Sequence, residues 1–258
     1  MTGSLVGSMD VAQVVLYAFW LFFAGLVWYL RQEDRREGYP LEEDATGRYN
    51  KHPFLFVPPK KTFILPHGQG THAVPDFVRD TRPLSARRIA KAPGSPIEPV
   101  GNPLLAGVGP GSWAERAERP DMTAHGDARI VPLRVAEGFG IAEGQKDPRG
   151  LAVVGCDRRD AGTVTDVWVD RSEQLLRYYE VTLADGGRSV LLPNNFVVFQ
   201  TVRGRRQLYV HAITAAQFAD VPATAAPETI TLREEDRVVA YFGAGLLYAT
   251  GDRQEPLL

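Results

Sequence analysis

The chain has 258 residues and a formal net charge of -2, a balance that leaves no basic stripe on which a nucleic-acid-binding role could rest. Its one cysteine, Cys156, excludes an internal disulfide and a cysteine-based zinc cluster, and fits a reducing compartment. With 19 Pro and 25 Gly, the polar part should be rich in strands, turns and loops, and it is long enough for one sizeable domain or for one domain plus an irregular arm.

The first element is an apolar run, VAQVVLYAFWLFFAGLVWYL, from Val11 to Leu30 with no ionisable acid, base or histidine. A helix of about twenty residues crosses a hydrocarbon core roughly 30 Å thick. Its eleven Leu, Val and Phe residues favour insertion by roughly 3 to 7 kcal/mol. Asp10 and Gln13 have the spacing of a capping box at the helix start, and Trp28 with Tyr29 sits where an interfacial anchor belongs. No Lys or Arg precedes the run, whereas Arg31, Arg35 and Arg36 follow it, so the positive-inside rule puts the N-terminus outside and the rest in the cytoplasm. A cleaved signal peptide would want a basic start, a shorter apolar core and a small-residue cleavage site, all missing here. Ala18 and Gly25 could let a neighbouring helix approach closely.

The charged stretch that follows predicts a helix continuing a turn or two and stopping near Gly38, ahead of Pro40. Between Lys60 and Pro110 only Thr62 to Leu65 reads as a strand. So long a stretch with so little periodicity is easier to explain if it lies over a partner that pairs its backbone groups; disorder is the competing reading. After Arg129 the pattern changes to short apolar or alternating runs, divided by turn residues such as Asp185-Gly186-Gly187 and Arg203-Gly204. They predict a small antiparallel barrel or sandwich over about residues 129 to 213. Thr231 and Glu234 form a second capping box, opening a C-terminal helix whose second half is weakened by Gly243 and Gly245. The expected organisation is an outer N-terminus and transmembrane helix (1–37), an extended, proline-rich partner-covering segment (38–128), and a β-barrel domain with a C-terminal helix (129–258).

No nucleophile elbow, P-loop, HExxH or dinucleotide fingerprint occurs, which argues against an enzyme. None of the five histidines has an i, i+4 partner, and His67 with His72 would need a third ligand that the sequence does not identify. Two clusters carry ionisable groups. Asp121, His125 and Asp127 fall in one loop with Gly126, where an imidazole between carboxylates would titrate near neutral pH. Asp170, Glu173 and Arg177 follow the strand bearing Trp168, an arrangement that can move carboxylate pKa values apart. A wet polar turn and an ordinary charged hairpin connection are the plainer readings of these two.

The segments YAFWLFFAGLVWYL, REGYPLE, KTFILPHG, GNPLLAGVGPGSW, ARIVPLRVAEGF, AEGQKDPRGL, AGTVTDVWVDRSEQ, RYYEV and ITLREEDRVVAYFGAGLLYAT together resemble the H subunit of the purple bacterial photosynthetic reaction centre. The resemblance runs in order over nearly the whole chain. It implies a single transmembrane helix and a cytoplasmic PRC-type β-barrel in the chromatophore membrane, capping the L and M subunits, with membrane lipids, a cytochrome subunit and a light-harvesting complex as further candidate neighbours. Bacteriochlorophyll, bacteriopheophytin, quinones and non-haem iron would belong to the partner subunits, and this chain would bind no cofactor directly. Its implied work is to stabilise the quinone region and admit protons toward the secondary quinone. By the same resemblance, His125 with Asp127 stands at the proton intake, Asp170, Glu173 and Arg177 line the inner route, and Glu42, His67 and Glu228 join the network. Asp127 and Thr123 replace the second imidazole and the carboxylate of the best-known members, which puts a divalent-metal site there in doubt. For Arg177 a salt-bridge anchor is as good a reading as a conducting role. The alternatives are a membrane-tethered PRC-barrel adaptor of another complex and, in a third class, an anchored hydrolase for which no residue set is nominated.

Overall fold

The computed structural model describes residues 4–6, 9–39, 41, 43, 48, 58–78, 80–92 and 94–254. Two units divide the chain, Met1–Arg82 with Lys91–Ser95, and Pro83–Ala90 with Pro96–Leu258.

In the first unit, β1 (Ser4–Val6) pairs antiparallel with β2 (Met9–Asp10) and leads into α1 (Val11–Glu33). The expected capping box closes the start of α1: the Gln13 amide donates to Asp10 Oδ1 at 2.9 Å and the Asp10 amide to Gln13 Oε1 at 3.4 Å. None of its residues is buried, so the whole apolar circumference faces outward, as a helix whose solvent is lipid requires. It is long and apolar enough to cross a membrane. It ends earlier than the sequence predicts: after the Asp34 amide the bonds tighten to i→i−3, Arg35 to Gln32 O and Arg36 to Glu33 O, and charged turns follow as far as Gly38. The end of α1 is tied to a hairpin of β3 (Lys61–Ile64) and β4 (Thr71–Val74). Glu33 binds both Arg36 and Lys61, at 2.7 and 2.8 Å, and Arg36 also donates to the carbonyls of Pro59 and Val74.

In the second unit, β5 (Ala86–Arg88) and β6 (Ile97–Pro99) make a short hairpin. With β4, these strands are ones that the proline-rich composition hid. The main sheet comprises β7 (Ile130–Pro132), β8 (Ala152–Val154), β9 (Asp160–Asp170), β10 (Leu175–Leu183), β11 (Ser189–Pro193), β12 (Val197–Val202) and β13 (Arg205–Val210). Its order is β11-β10-β9-β8-β13-β12, with β7 also on β9. Among the described residues its neighbouring strands pair antiparallel except β8 with β13, which are parallel. The sheet curls: Tyr179 on β10 meets Phe199 on β12 edge to face with ring centroids 6.2 Å apart. A register shift between β9 and β10 at Glu180/Val181 adds the local twist that curling needs. The expected turns are in place, Gly187 donating to Asp185 Oδ1, and Arg203 and Gly204 both with positive φ between β12 and β13, as a tight hairpin demands.

Trp168, Tyr178, Leu192 and Leu208 fill the inside of the sheet and α2 (Leu232–Tyr248) closes it with Tyr241 and Phe242. Burying side chains of this size stabilises by about 1.5–3 kcal/mol each. The helix opens on the expected box, with Thr231 Oγ1 accepting from the Glu234 amide and Glu234 Oε2 accepting from the Thr231 amide. It is unbroken through Gly243 and Gly245, because these are its points of closest approach: a Cβ on Gly245 would lie 2.5 Å from the Ala212 carbonyl, and one on Gly243 2.7 Å from that of Pro110.

Candidate functional site

The pairing of β7 with β9 sets Ile130 opposite Asp170, which brings Arg129, one residue earlier, onto the end of β9. Its guanidinium spans Asp170 with Nε at 3.0 and 2.9 Å from the two carboxylate oxygens. The same group reaches Asp121 Oδ2 through Nη1 at 3.1 Å and Glu173 Oε1 through Nη2. One arginine thus holds three carboxylates from two segments of the chain. Asp170 is 1% exposed, and its Oδ1 also accepts from the amides of Ser172 and Glu173 at 2.9 Å. Burial pushes the Asp170 pKa up, but the Arg129 hydrogen bonds, the two amides and the guanidinium charge together outweigh it and hold the pKa below the ordinary value. Arg129 itself is raised, chiefly by its bond to Asp170.

The His125 loop lies against this turn. Thr123 organises it: its Oγ1 accepts from the amides of His125 and Asp127 at 3.3 Å, and its amide donates to the Asp127 carbonyl at 2.8 Å. The Arg171 amide donates to Arg129 O, and the Arg171 guanidinium to Ala128 O. Thr123, Ala124, His125, Asp127, Arg171 and Ser172 line an open depression of about 440 Å³. His125 and Asp127 are exposed, and Asp121, expected beside the imidazole, turns instead to Arg129. The two clusters separated in sequence therefore lie side by side, the His125 loop and Arg171 with Ser172, which follow the buried Asp170, lining one depression.

Arg177 does not touch the Arg129 cluster. Its guanidinium stands 3.6 Å from Glu235 on α2, and the arginine that joins Asp170 to Glu173 is Arg129, which nothing in the local pattern singles out. A further guanidinium, that of Arg134, binds Asp166 at 3.0 Å and Glu180 at 2.8 Å, with the Trp168 indole also donating to Glu180. Glu228 is exposed. His67 belongs to the first unit, at the exposed tip of the β3–β4 hairpin with φ 55°. Glu42 lies outside the described residues. Glu235 could have been suspected from sequence, since it falls on the Val238, Tyr241, Phe242 stripe of an amphipathic helix; Arg129 could not, because its partner is distant in the chain. Among the described residues, no group of three His, Cys, Asp or Glu could hold a metal ion.

An outward-facing apolar helix joined to a curled β body with an arginine-centred carboxylate cluster defines a class, the membrane-anchored β-barrel protein. The family model of the photosynthetic reaction centre H-chain N-terminal region matches residues 3–135, and that of the PRC-barrel domain matches residues 142–217. The chain belongs to the reaction-centre H-chain family, whose members are non-catalytic subunits. The first match takes in His125, Asp127 and Arg129, the second Asp170, Glu173 and Arg177; α2 lies beyond both.

Proposed function

We propose that this chain caps the cytoplasmic face of the L and M subunits of a photosynthetic reaction centre, stabilises their quinone region, and conducts protons from the cytoplasm toward the secondary quinone. The single observation that carries the proton role is the Arg129 cluster beside the His125 depression. A quinone buried in protein must be shielded from bulk water yet receive protons, and closely spaced acceptors with water between them meet both demands. His125 and Asp127, exposed at the depression, would collect the proton. Glu173, whose side chain is 51% exposed, can exchange with water and pass it on. Asp170, buried and ionised under Arg129, is a poor carrier because its pKa is held low; its negative charge sets the local field that draws protons inward. The residues 38–128 would serve as the segment laid over L and M, and the positive residues after α1 would keep the β body on the cytoplasmic side.

The test is made in the assembled complex. Glu173→Gln should slow the proton-coupled transfer of the second electron and leave initial charge separation unchanged, and an unaltered second step would defeat the assignment. Bacteriochlorophyll absorption in the near infrared should co-purify with the chain. Its absence would favour a membrane-tethered adaptor of another complex.

A further inference from the structure

The path just described leaves out the best-hidden carboxyl group of α2. Glu235 is 7% exposed and shares its helix face with Val238, Tyr241 and Phe242. Its compensation is thin beside that of Asp170: the Tyr178 hydroxyl donates to Oε2 at 3.1 Å, and the Arg177 guanidinium, 40% exposed, comes no nearer than 3.6 Å. A buried carboxylate so weakly paired is costly to keep ionised. Burial is the largest influence and holds the Glu235 pKa above its ordinary value, against the pull of Tyr178, Arg177 and Arg116, while Asp121 pushes it further up. The charged and titratable groups around it are thus Arg177 and Tyr178 on β10, Arg116 and Asp121 on the segment before β7, and Asp236 on its own helix, which also acts on Tyr178.

Two members of the cluster, Arg177 and Tyr178, border open space. A cavity of about 320 Å³ opens on Arg177 and Tyr178, walled by Leu175, Leu176, Asn194 and Val239, roomy and polar enough to hold several waters. Resting on the proton-conducting reading above, we infer that Glu235 is a proton-storing carboxyl of this subunit, loaded and unloaded through the cavity beside Arg177 and Tyr178. Loading transfers one proton from a hydronium in the cavity to the Glu235 carboxylate, leaving water and a neutral acid. Unloading reverses it when negative charge in the partner subunits is discharged. Arg177 is then a positioning residue that steadies the ionised form.

Infrared difference spectra and flash-induced proton uptake of the assembled complex, across pH, test this with Glu235→Gln, Tyr178→Phe and Glu173→Gln. In the unmodified complex a carboxylic-acid C=O band that shifts in D2O should appear on illumination. It should be lost in Glu235→Gln, together with the part of the uptake that titrates with the band, and return in Glu235→Asp. Tyr178→Phe, which removes a donor to the ionised form, should keep the band and move its midpoint to higher pH. A band that persists in Glu235→Gln, with uptake unchanged, overturns the inference while a slowed Glu173→Gln leaves the proton-conducting reading standing. If Glu173→Gln and Glu235→Gln both behave as the unmodified complex, that reading falls and this one with it. Should Glu235→Gln fail to assemble, an unmoved midpoint in Tyr178→Phe is decisive against it.

Discussion

At the residue scale, the carboxyl groups of Asp170 and Glu235 are buried alike and tuned in opposite directions, and the difference is the donors around them. Asp170 has a spanning guanidinium and two amides; Glu235 has one hydroxyl and a distant guanidinium. Because its folded pKa is lowered, Asp170 contributes stability that is present above its unfolded pKa of about 3.9 and is lost as pH falls through the folded value. The sign reverses for Glu235, whose raised pKa favours the fold below an unfolded value of about 4.3 and withdraws that favour as pH rises through the folded one. Melting curves of Glu235→Gln should therefore fall less between acid and neutral pH than those of the unmodified chain. Arg129→Met leaves Asp170 a buried charge with only its two amide donors; a loss of about 3 kcal/mol is expected, the low end for a buried pair because those amides remain. Denaturant titration reads it, and an unchanged midpoint would show that Asp170 is neutral in the fold.

At the element scale, what the sequence made legible was local. Both capping boxes are pairs three residues apart, and each opens its helix where the spacing says it should. The alternation from Ile130 onward and the turn residues between the runs gave the β body, since a strand's period is written in consecutive residues. What stayed hidden depends on contacts distant in the chain. Strands β4 to β6 are too short and too proline-punctuated to show a period, and they exist because a partner strand pairs with them. Arg129 looks like any charge ahead of a strand until the β7–β9 register sets it on Asp170. The glycines of α2 misled for the same reason: helix propensity counts against them, whereas the fold uses the space that their missing side chains leave. Gly245→Val should accordingly lower the melting temperature by several degrees, because its side chain would overlap Ala212 O and the Ile213 methyl, and overpacking costs about 1–3 kcal/mol. An unchanged melting temperature would mean that α2 can back away from the sheet.

At the scale of the whole molecule, two solvents are served by one chain. Leu21 and Phe22, 76% and 65% exposed, lie mid-way along a helix that buries nothing of its own, while the β body hides its aromatics inside. A charge at the centre of α1 should cost about 2.5–3.5 kcal/mol of insertion. Leu21→Arg is expected to move the chain from the carbonate-resistant membrane fraction toward the soluble one, and a chain that stays fully membrane-bound would locate its attachment elsewhere.

The one parallel junction, where Val153 on β8 meets Leu208 on β13, dictates a timetable. Neither edge of that seam can be stitched until both strands have left the ribosome, and Tyr241 and Phe242, which complete the interior, are translated later still. The greasy N-terminal segment, finished long before, is available to the insertion machinery while most of the body remains unwritten. Lodging in the bilayer can therefore precede folding, and a body so anchored finds its shape already moored.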